Sequence, residues 1–281
     1  MDRAAIGIFD SGIGGLTVAR EIARRLPHED LIYLGDTARL PYGTKSASTV
    51  VRYSERAVDL LCRYPIKAVV VACNTASAHA LEALRTHTHL PVLGVIDPGA
   101  KAAVRANVSG GLIGIMATEA TVRSCAYQRA IARELAISEA EVASRCMAIA
   151  APLLVPLAEE GWLDHPVTRL TLETYLAPFV ERGCDTLVLG CTHYPVMKAL
   201  IQQVLAERFG ITEGAERSMR LVDSAETVTD ELEALLDERG LRAPQRDGRY
   251  SFFCTDAPER FGRVGTTFFG GDVAPVFAVD L

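Results

Sequence analysis

The chain holds no uninterrupted apolar run long enough to cross a bilayer. Residues 146–158, an uncharged apolar stretch, span 13 residues and are broken by Pro152 and Pro156. Positive charge is also scarce: 29 Lys and Arg face 35 Asp and Glu, a net of −6, and the basic residues are scattered apart from Arg20, Arg24 and Arg25 on one helix face. Such a surface repels phosphate backbones and argues against sequence-nonspecific nucleic-acid binding. Asp2 and Arg3, with Gly7 and Asp10 soon after, do not make a signal peptide. The seven cysteines (Cys62, Cys73, Cys125, Cys146, Cys184, Cys191, Cys254) form no CxxC pair and no regular framework. An odd, irregular set of this kind reads as free thiols in a reducing compartment. The expectation is a soluble cytoplasmic protein with no nucleic-acid and no membrane partner. Apolar residues at 49% and charged residues at 23% of 281 rule out wholesale disorder. The length suits about two domains.

What is present is a regular alternation. Short apolar runs at 6–9, 31–34, 68–72, 92–96, 112–116 and 187–189 stop at Gly, Asp, Asn or Thr, as buried parallel strands do. Helical spacing separates them. Leu16, Ala19, Ile22, Ala23 and Leu26 share one face, and 50–62, 120–135 and 196–209 follow suit. This predicts an α/β fold of βαβ units, a mostly parallel sheet flanked by helices. Two pairs of strand-to-helix turns look like copies. Ile6-Gly7-Ile8-Phe9-Asp10-Ser11 matches Ile113-Gly114-Ile115-Met116-Ala117-Thr118, and Val70-Val71-Ala72-Cys73-Asn74-Thr75 matches Val188-Leu189-Gly190-Cys191-Thr192-His193, at offsets of 107 and 118. Two matches in the same order predict a duplicated unit and two pseudosymmetric lobes with the paired turns facing each other. The crossover is placed at Ile96-Asp97-Pro98-Gly99, where Pro and Gly break the pattern. Lobe boundaries follow as 1–97 with 210–281, and 98–209. The tail's strand at 221–223, helix at 224–238 and strand at 249–254 are assigned to the first lobe.

In such sheets, ligands sit where strands end and helices begin. Cys73 and Cys191 each stand at that point, followed by small polar or ionisable residues. A lone strand-end cysteine is usually a small core hydrophobe, but here both copies of a repeated turn carry one. A thiol at a helix start sees the positive end of the helix dipole, which favours the thiolate. Two of them would supply a base and an acid on opposite sides of a substrate. Asp10-Ser11-Gly12-Ile13-Gly14-Gly15 is a glycine-rich turn without GxGxxG spacing, so it is a poor dinucleotide fingerprint. Asp10 suits an ammonium group or a nearby thiol, and Ser11 a carboxylate. His193 lies two residues beyond Cys191. Cys-x-His invites zinc, but no second ligand pair stands at the usual spacing, so no metal is expected, and proton transfer fits better. Residues 36–43, with two charges, Tyr42 and Gly43, have the make-up of a loop lining a binding site. Thr118 and Thr121 read as helix-capping residues. Glu159 and Glu160 read as a solvated helix end, and the five other cysteines as core.

Four segments carry a family resemblance: Ile6 to Leu16, Gly35-Asp36-Thr37-Ala38-Arg39 with Pro41-Tyr42-Gly43, Ala72-Cys73-Asn74-Thr75-Ala76-Ser77, and Leu189-Gly190-Cys191-Thr192-His193-Tyr194-Pro195. In order and spacing over nearly the whole chain they resemble glutamate racemase, as do Val155-Pro156-Leu157 before Glu159, and Val222-Asp223-Ser224. The resemblance implies a racemase that uses no cofactor, interconverts L- and D-glutamate and supplies D-glutamate for peptidoglycan. It also implies two pseudosymmetric α/β lobes with the active site between them, and a homodimer. Its catalytic cysteines fall on Cys73, which takes the proton from D-glutamate, and Cys191, which takes it from L-glutamate. Asp10, His193 and Glu159 match auxiliary acid–base residues. Substrate contacts carry over to Asp10, Ser11, Tyr42, Gly43, Asn74, Thr75, Thr118, Thr121, Thr192 and His193. Two departures stand out: Ala117 where Gly is usual, and Ala151 where Cys is common.

The chemistry accounts for these residue types. An amino-acid α-proton is far less acidic than a thiol of pKa about 8.5. Without a cofactor to absorb charge, hydrogen bonds and fixed dipoles must stabilise a carbanion-like transition state, and four helix N-termini are expected to converge on the substrate. The rival readings are an aspartate or broad-specificity racemase, a thiol hydrolase using Cys191 with His193, and a two-lobed small-ligand binding protein.

Overall fold

The computed structural model describes residues 4–107, 110–212 and 218–281. Its contacts divide the chain into two compact units, 1–95 with 225–281, and 96–224. In chain order the first unit opens with β1 (Ala5–Asp10), α1 (Leu16–Arg25), β2 (Leu31–Gly35), α2 (Ala47–Leu61), β3 (Ile66–Val71), α3 (Asn74–His87) and β4 (Val92–Gly94). The second comprises α4 (Ile96–Ala106), β5 (Leu112–Ala117), α5 (Glu119–Ser124), α6 (Ala126–Leu135), α7 (Glu139–Val142), β6 (Cys146–Ala150), α8 (Leu154–Glu159), α9 (Pro166–Glu181), β7 (Cys184–Gly190), α10 (Lys198–Phe209) and β8 (Arg220–Asp223). The chain then runs through α11 (Ser224–Glu238) and completes the first unit with β9 (Tyr250–Cys254), α12 (Pro258–Phe269) and β10 (Val276–Ala278).

Every strand pairing is parallel. The first sheet runs β10-β9-β2-β1-β3-β4 and the second β6-β5-β7-β8. Stripped of β9 and β10, the two orders are the same: the first strand lies central, with the second on one side and the third and fourth on the other. The duplication reaches fine detail. The pairing of β1 with β3 shifts register between Ala5 and Ile6, and that of β5 with β7 shifts between Leu112 and Ile113, 107 residues on. Strands such as Ala68–Val71 are apolar at every position because helices cover both faces of a parallel sheet. The helices are amphipathic. On α1, Leu16, Val18, Ala19 and Ile22 are buried, while Arg25 reaches Asp230 and Glu233 on α11 at 2.6 and 2.5 Å.

Several sequence expectations need correction. The strand at 220–223, assigned above to the first lobe, pairs with β7, and the return to the first unit comes at Ala225. The run at 92–96 stops at Gly94; the division between the units does fall at Ile96, but Ile96-Asp97-Pro98-Gly99 forms the first turn of α4 rather than a break, where proline is tolerated. The helix expected at 120–135 is two helices, parted by Cys125 at φ 53°. The helix expected from 196 begins at Lys198, after a 3₁₀ turn at Tyr194–Met197. Strand β6 and helix α9 had no periodic signal strong enough to name them. Cys62 and Cys125 are exposed rather than core. Among the described residues no helix is long and apolar enough to cross a membrane.

Two glycines hold the first sheet's upper edge together. A Cβ at Gly35 would lie 2.4 Å from the Gly12 carbonyl oxygen and 2.7 Å from Phe261. The nearer obstacle is backbone and cannot rotate away. Gly35→Ala should therefore lower the unfolding free energy by about 1–3 kcal/mol in urea denaturation. Gly262→Ala, whose Cβ would meet only Val276 at 3.6 Å inside α12, should be neutral or raise it by up to about 1 kcal/mol.

Candidate active site

In each unit the parallel sheet delivers all strand C-termini to one edge, so the turns after neighbouring strands become neighbours. In the first unit these are the turns after β1, β2 and β3. The Ala72 N–H donates to the Phe9 carbonyl at 2.8 Å and the Asp36 N–H to the Asp10 carbonyl at 3.0 Å, which locks the three together.

Cys73 is the N-cap of α3. Its sulfur accepts from the Ala76 N–H at 3.4 Å, and its thiol donates to Ser11 Oγ at 3.5 Å. Asp10 is fully buried, and its Oδ2 accepts from the Gly12 N–H at 2.9 Å, tightening the glycine-rich turn. Asn74 and Thr75, in the first turn of α3, are buried beside the thiol. The structure thus gathers Asp10, Ser11, Cys73, Asn74 and Thr75 into one half-site. The start of α1, however, differs from expectation. The Tyr33 hydroxyl sits against it, donating to the Gly12 carbonyl at 2.8 Å and lying 2.8 Å from where a Cβ at Gly15 would be. Burial, with the Asp10 and Cys73 charges adding to it, holds this phenol well above its ordinary pKa.

Tyr42 is also placed otherwise than a cleft-lining aromatic would be. Its ring is only 1% exposed and its hydroxyl donates to Asp36 Oδ2 at 2.7 Å. The buried Asp36 carboxylate further accepts from Arg39 at 2.8 Å and Thr255 Oγ1 at 2.8 Å. The phenol therefore fixes the 36–44 loop from beneath, leaving Gly43 and the backbone as its half-exposed part.

In the second unit, Cys191 follows β7. Its sulfur lies 3.8 Å from His193 Nδ1, and His193 Nε2 lies 3.0 Å from Glu159 Oε1. The His193 and Glu159 side chains are only 7% and 12% exposed, so water screens the pair little. Glu159 is the last residue of α8, not a solvated helix end. Burial pushes the imidazolium toward neutrality, but Cys191 and Glu159 outweigh it and lift His193 from 6.5 to about 10. Thr192 is buried next to the sulfur. Thr118 caps α5, accepting from the Thr121 N–H at 3.3 Å, and its Oγ1 lies 2.9 Å from Thr121 Oγ1. Tyr194 OH donates to the Ala151 carbonyl at 2.9 Å, and the Ala151 N–H to the Ala117 carbonyl at 2.9 Å, tying the ends of β5 and β6 to the 3₁₀ turn after Cys191. The Ala117 methyl has room because its neighbour is Gly190, where a Cβ would come within 2.9 Å of it. Burial pushes Cys146 and Cys184 up to about 11, as inert core thiols.

Among the described residues no group of three or more His, Cys, Asp or Glu side chains is arranged to hold a metal ion. The residues that sequence reasoning missed are Tyr33 and Tyr194. Tyr33 lies in an apolar strand and Tyr194 directly before a proline, and in neither place does the local pattern distinguish a phenol that aims its hydroxyl at a backbone carbonyl from one that only packs.

Known proteins resemble this chain over nearly its whole length. The Asp/Glu/Hydantoin racemase family model matches residues 6–237. A curated glutamate racemase of Geobacter metallireducens is 49% identical over 99% of this chain and 97% of its own. Among solved structures, a glutamate racemase isoform from Bacillus anthracis superposes with a TM-score of 0.89 at 35% identity, covering 100% of this chain and 99% of its own. One from Francisella tularensis, solved with D-glutamate, gives 0.87 at 32% identity, covering 100% and 98%.

The upward displacement of His193 has a defined consequence for stability. Its folded-state value lies above the unfolded one of 6.5, so the stabilisation is fully present below about pH 6.5 and is lost as pH rises through about 10. The stability gap between the native protein and His193→Gln, read by urea denaturation, should be widest at about pH 6 and close above about pH 10. Imidazole ¹⁵N shifts should report a charged His193 ring at about pH 8, where an ordinary histidine is neutral. A neutral ring there contradicts the assignment.

Proposed function

The chain belongs to the Asp/Glu/Hydantoin racemase family, among the glutamate racemases, and from that premise we propose that it interconverts L- and D-glutamate without a cofactor, passing the α-proton between two thiols. Cys73 takes the proton from D-glutamate and Cys191 from L-glutamate, each returning one in the opposite direction. The observation that carries this reading is that both members of a repeated strand-end turn present a cysteine with its own proton-handling partners: Ser11 and the Ala76 N–H for Cys73, His193 with Glu159 for Cys191.

Inversion requires that the proton leave one face of Cα and arrive on the other, so the two sulfurs must address opposite faces of one carbon. When Cys191 is the base, the neighbouring imidazolium stabilises its thiolate; when Cys191 is the acid and is left as the thiolate, the imidazolium can return a proton to it. Glu159 holds the imidazole ring and supplies the charge that keeps it protonated. At Cys73 the Ala76 N–H, at the positive end of α3, stabilises the thiolate by a hydrogen bond. Asn74, Thr75, Thr118, Thr121 and Thr192 offer donors for the substrate carboxylates, with Ser11 and Gly43, while Asp10 suits the ammonium group. Such fixed dipoles stabilise the carbanion-like transition state without reorganising. The same reading makes the protein a cytoplasmic homodimer that supplies D-glutamate for peptidoglycan, and so for cell shape.

A Cys–His–Glu array also suits a thiol hydrolase acting through Cys191, and that alternative leaves Cys73 idle. Circular dichroism of glutamate turnover separates them. Cys73→Ser and Cys191→Ser should each lower racemisation by about 10²–10⁴-fold in both directions. Near-native turnover in either variant overturns the two-thiol assignment. Aspartate in place of glutamate should turn over far more slowly, and comparable rates would favour the broad-specificity reading.

A further inference from the structure

Tyr33 is a buried polar side chain beside the first half-site to which the reaction above gives no part. Its ring is 1% exposed and packs on Phe261 with centroids 5.9 Å apart. Its hydroxyl enters the turn between β1 and α1. There it donates to the Gly12 carbonyl at 2.8 Å. The space exists only because residue 15 has no side chain: a Cβ there would lie 2.8 Å from the hydroxyl and 2.4 Å from the Asp10 Cβ.

This pins Gly12 from both ends. Its N–H is held by Asp10 Oδ2 at 2.9 Å, and its carbonyl by Tyr33 at 2.8 Å. A glycine left to itself would be the most mobile point of such a turn. Ser11 lies between Asp10 and Gly12, so its backbone is fixed on either side, and its Oγ is the group 3.5 Å from Cys73 Sγ. The phenol also fills the start of α1, leaving Ser11 and Asp10 as this turn's groups for substrate and thiol.

We propose that Tyr33 is a positioning residue for Cys73: by pinning the Gly12 carbonyl its hydroxyl holds Ser11 in register with the thiol. The kinetic consequence rests on Cys73 being an acid–base group; the effect of Tyr33 on the thiol itself does not. Ser11 held in place can rotate its hydroxyl to donate to the thiolate, and a Ser11 free to drift does so less.

The test is Tyr33→Phe, which keeps the ring and removes only the hydroxyl. Iodoacetamide labelling of the full-length protein, followed by peptide mass spectrometry, reads Cys73 with Cys191 as the reference within the same molecule. The Cys73-to-Cys191 labelling ratio should fall by about three- to tenfold, the range of one hydrogen bond. A merely structural role would leave that ratio alone. In steady-state kinetics, kcat should drop by a similar factor with KM within about twofold. Ser11→Ala should lower the ratio alike, and adding Tyr33→Phe to it should change the ratio by less than about twofold, since the two act through one contact. An unmoved ratio in a Tyr33→Phe protein with native circular dichroism overturns the proposal, as does a full Tyr33→Phe effect in the Ser11→Ala background. The outcomes are separable from those of the reaction itself: a moved ratio without racemase activity removes the racemase reading only, while an unmoved ratio in an active racemase removes this one only.

Discussion

A cysteine takes part in proton transfer only where something holds its anion, and in this fold that begins with the parallel sheet. Because every strand points the same way, each ends over the start of a following turn or helix, where backbone N–H groups lie unpaired. Cys73 occupies such a position literally, as the cap of α3 with the Ala76 N–H on its sulfur. The rest of the first half-site is arranged around it: Ser11 against the thiol, Asp10 closing the turn that carries Ser11, and glycines at 15 and 35, where a Cβ would run into the Asp10 side chain and the Gly12 backbone.

The two units share an architecture but not a solution. With the 107-residue offset, Asp10 and Ser11 correspond to Ala117 and Thr118; with the 118-residue offset, Cys73, Asn74 and Thr75 correspond to Cys191, Thr192 and His193. The first unit keeps its carboxylate at the strand end. The second has a methyl there and brings its carboxylate from α8, through His193. One thiol is thus supported by neutral donors and a helix start, the other by an imidazolium held between sulfur and carboxylate. A reaction that runs in both directions between mirror-image substrates has no need of identical bases; each must only reach the proton on its own face.

Much of this was legible in the sequence, for identifiable reasons. The strand ends at Asp10, Cys73 and Cys191 stand out because a fully apolar run stops abruptly at a polar residue, and the repeat is visible because both copies keep that punctuation. What escaped was set by tertiary contact. Strand β6 hides in a run whose prolines, Pro152 and Pro156, belong to the turn and helix after it. The return to the first unit was misplaced because the strand at 220–223 carries no mark of which sheet it joins. Glu159 looks by local pattern like any acidic helix end, and only the family resemblance singled it out; α8 places it 3.0 Å from His193. Tyr42 has the composition of a ligand-facing loop residue, yet it is drawn inward by Asp36, a buried carboxylate that needs donors.

The account stands on there being two separate proton-bearing groups, not one that swings across the substrate. The isotope content of the first product tests this most directly. With L-glutamate in D₂O, sampled at a few per cent conversion, two bases predict D-glutamate carrying deuterium at Cα in essentially every molecule, while the remaining L-glutamate is still protiated. D-glutamate that retains the substrate's own proton would mean a single group removed and returned it, and would contradict the assignment of Cys73 and Cys191.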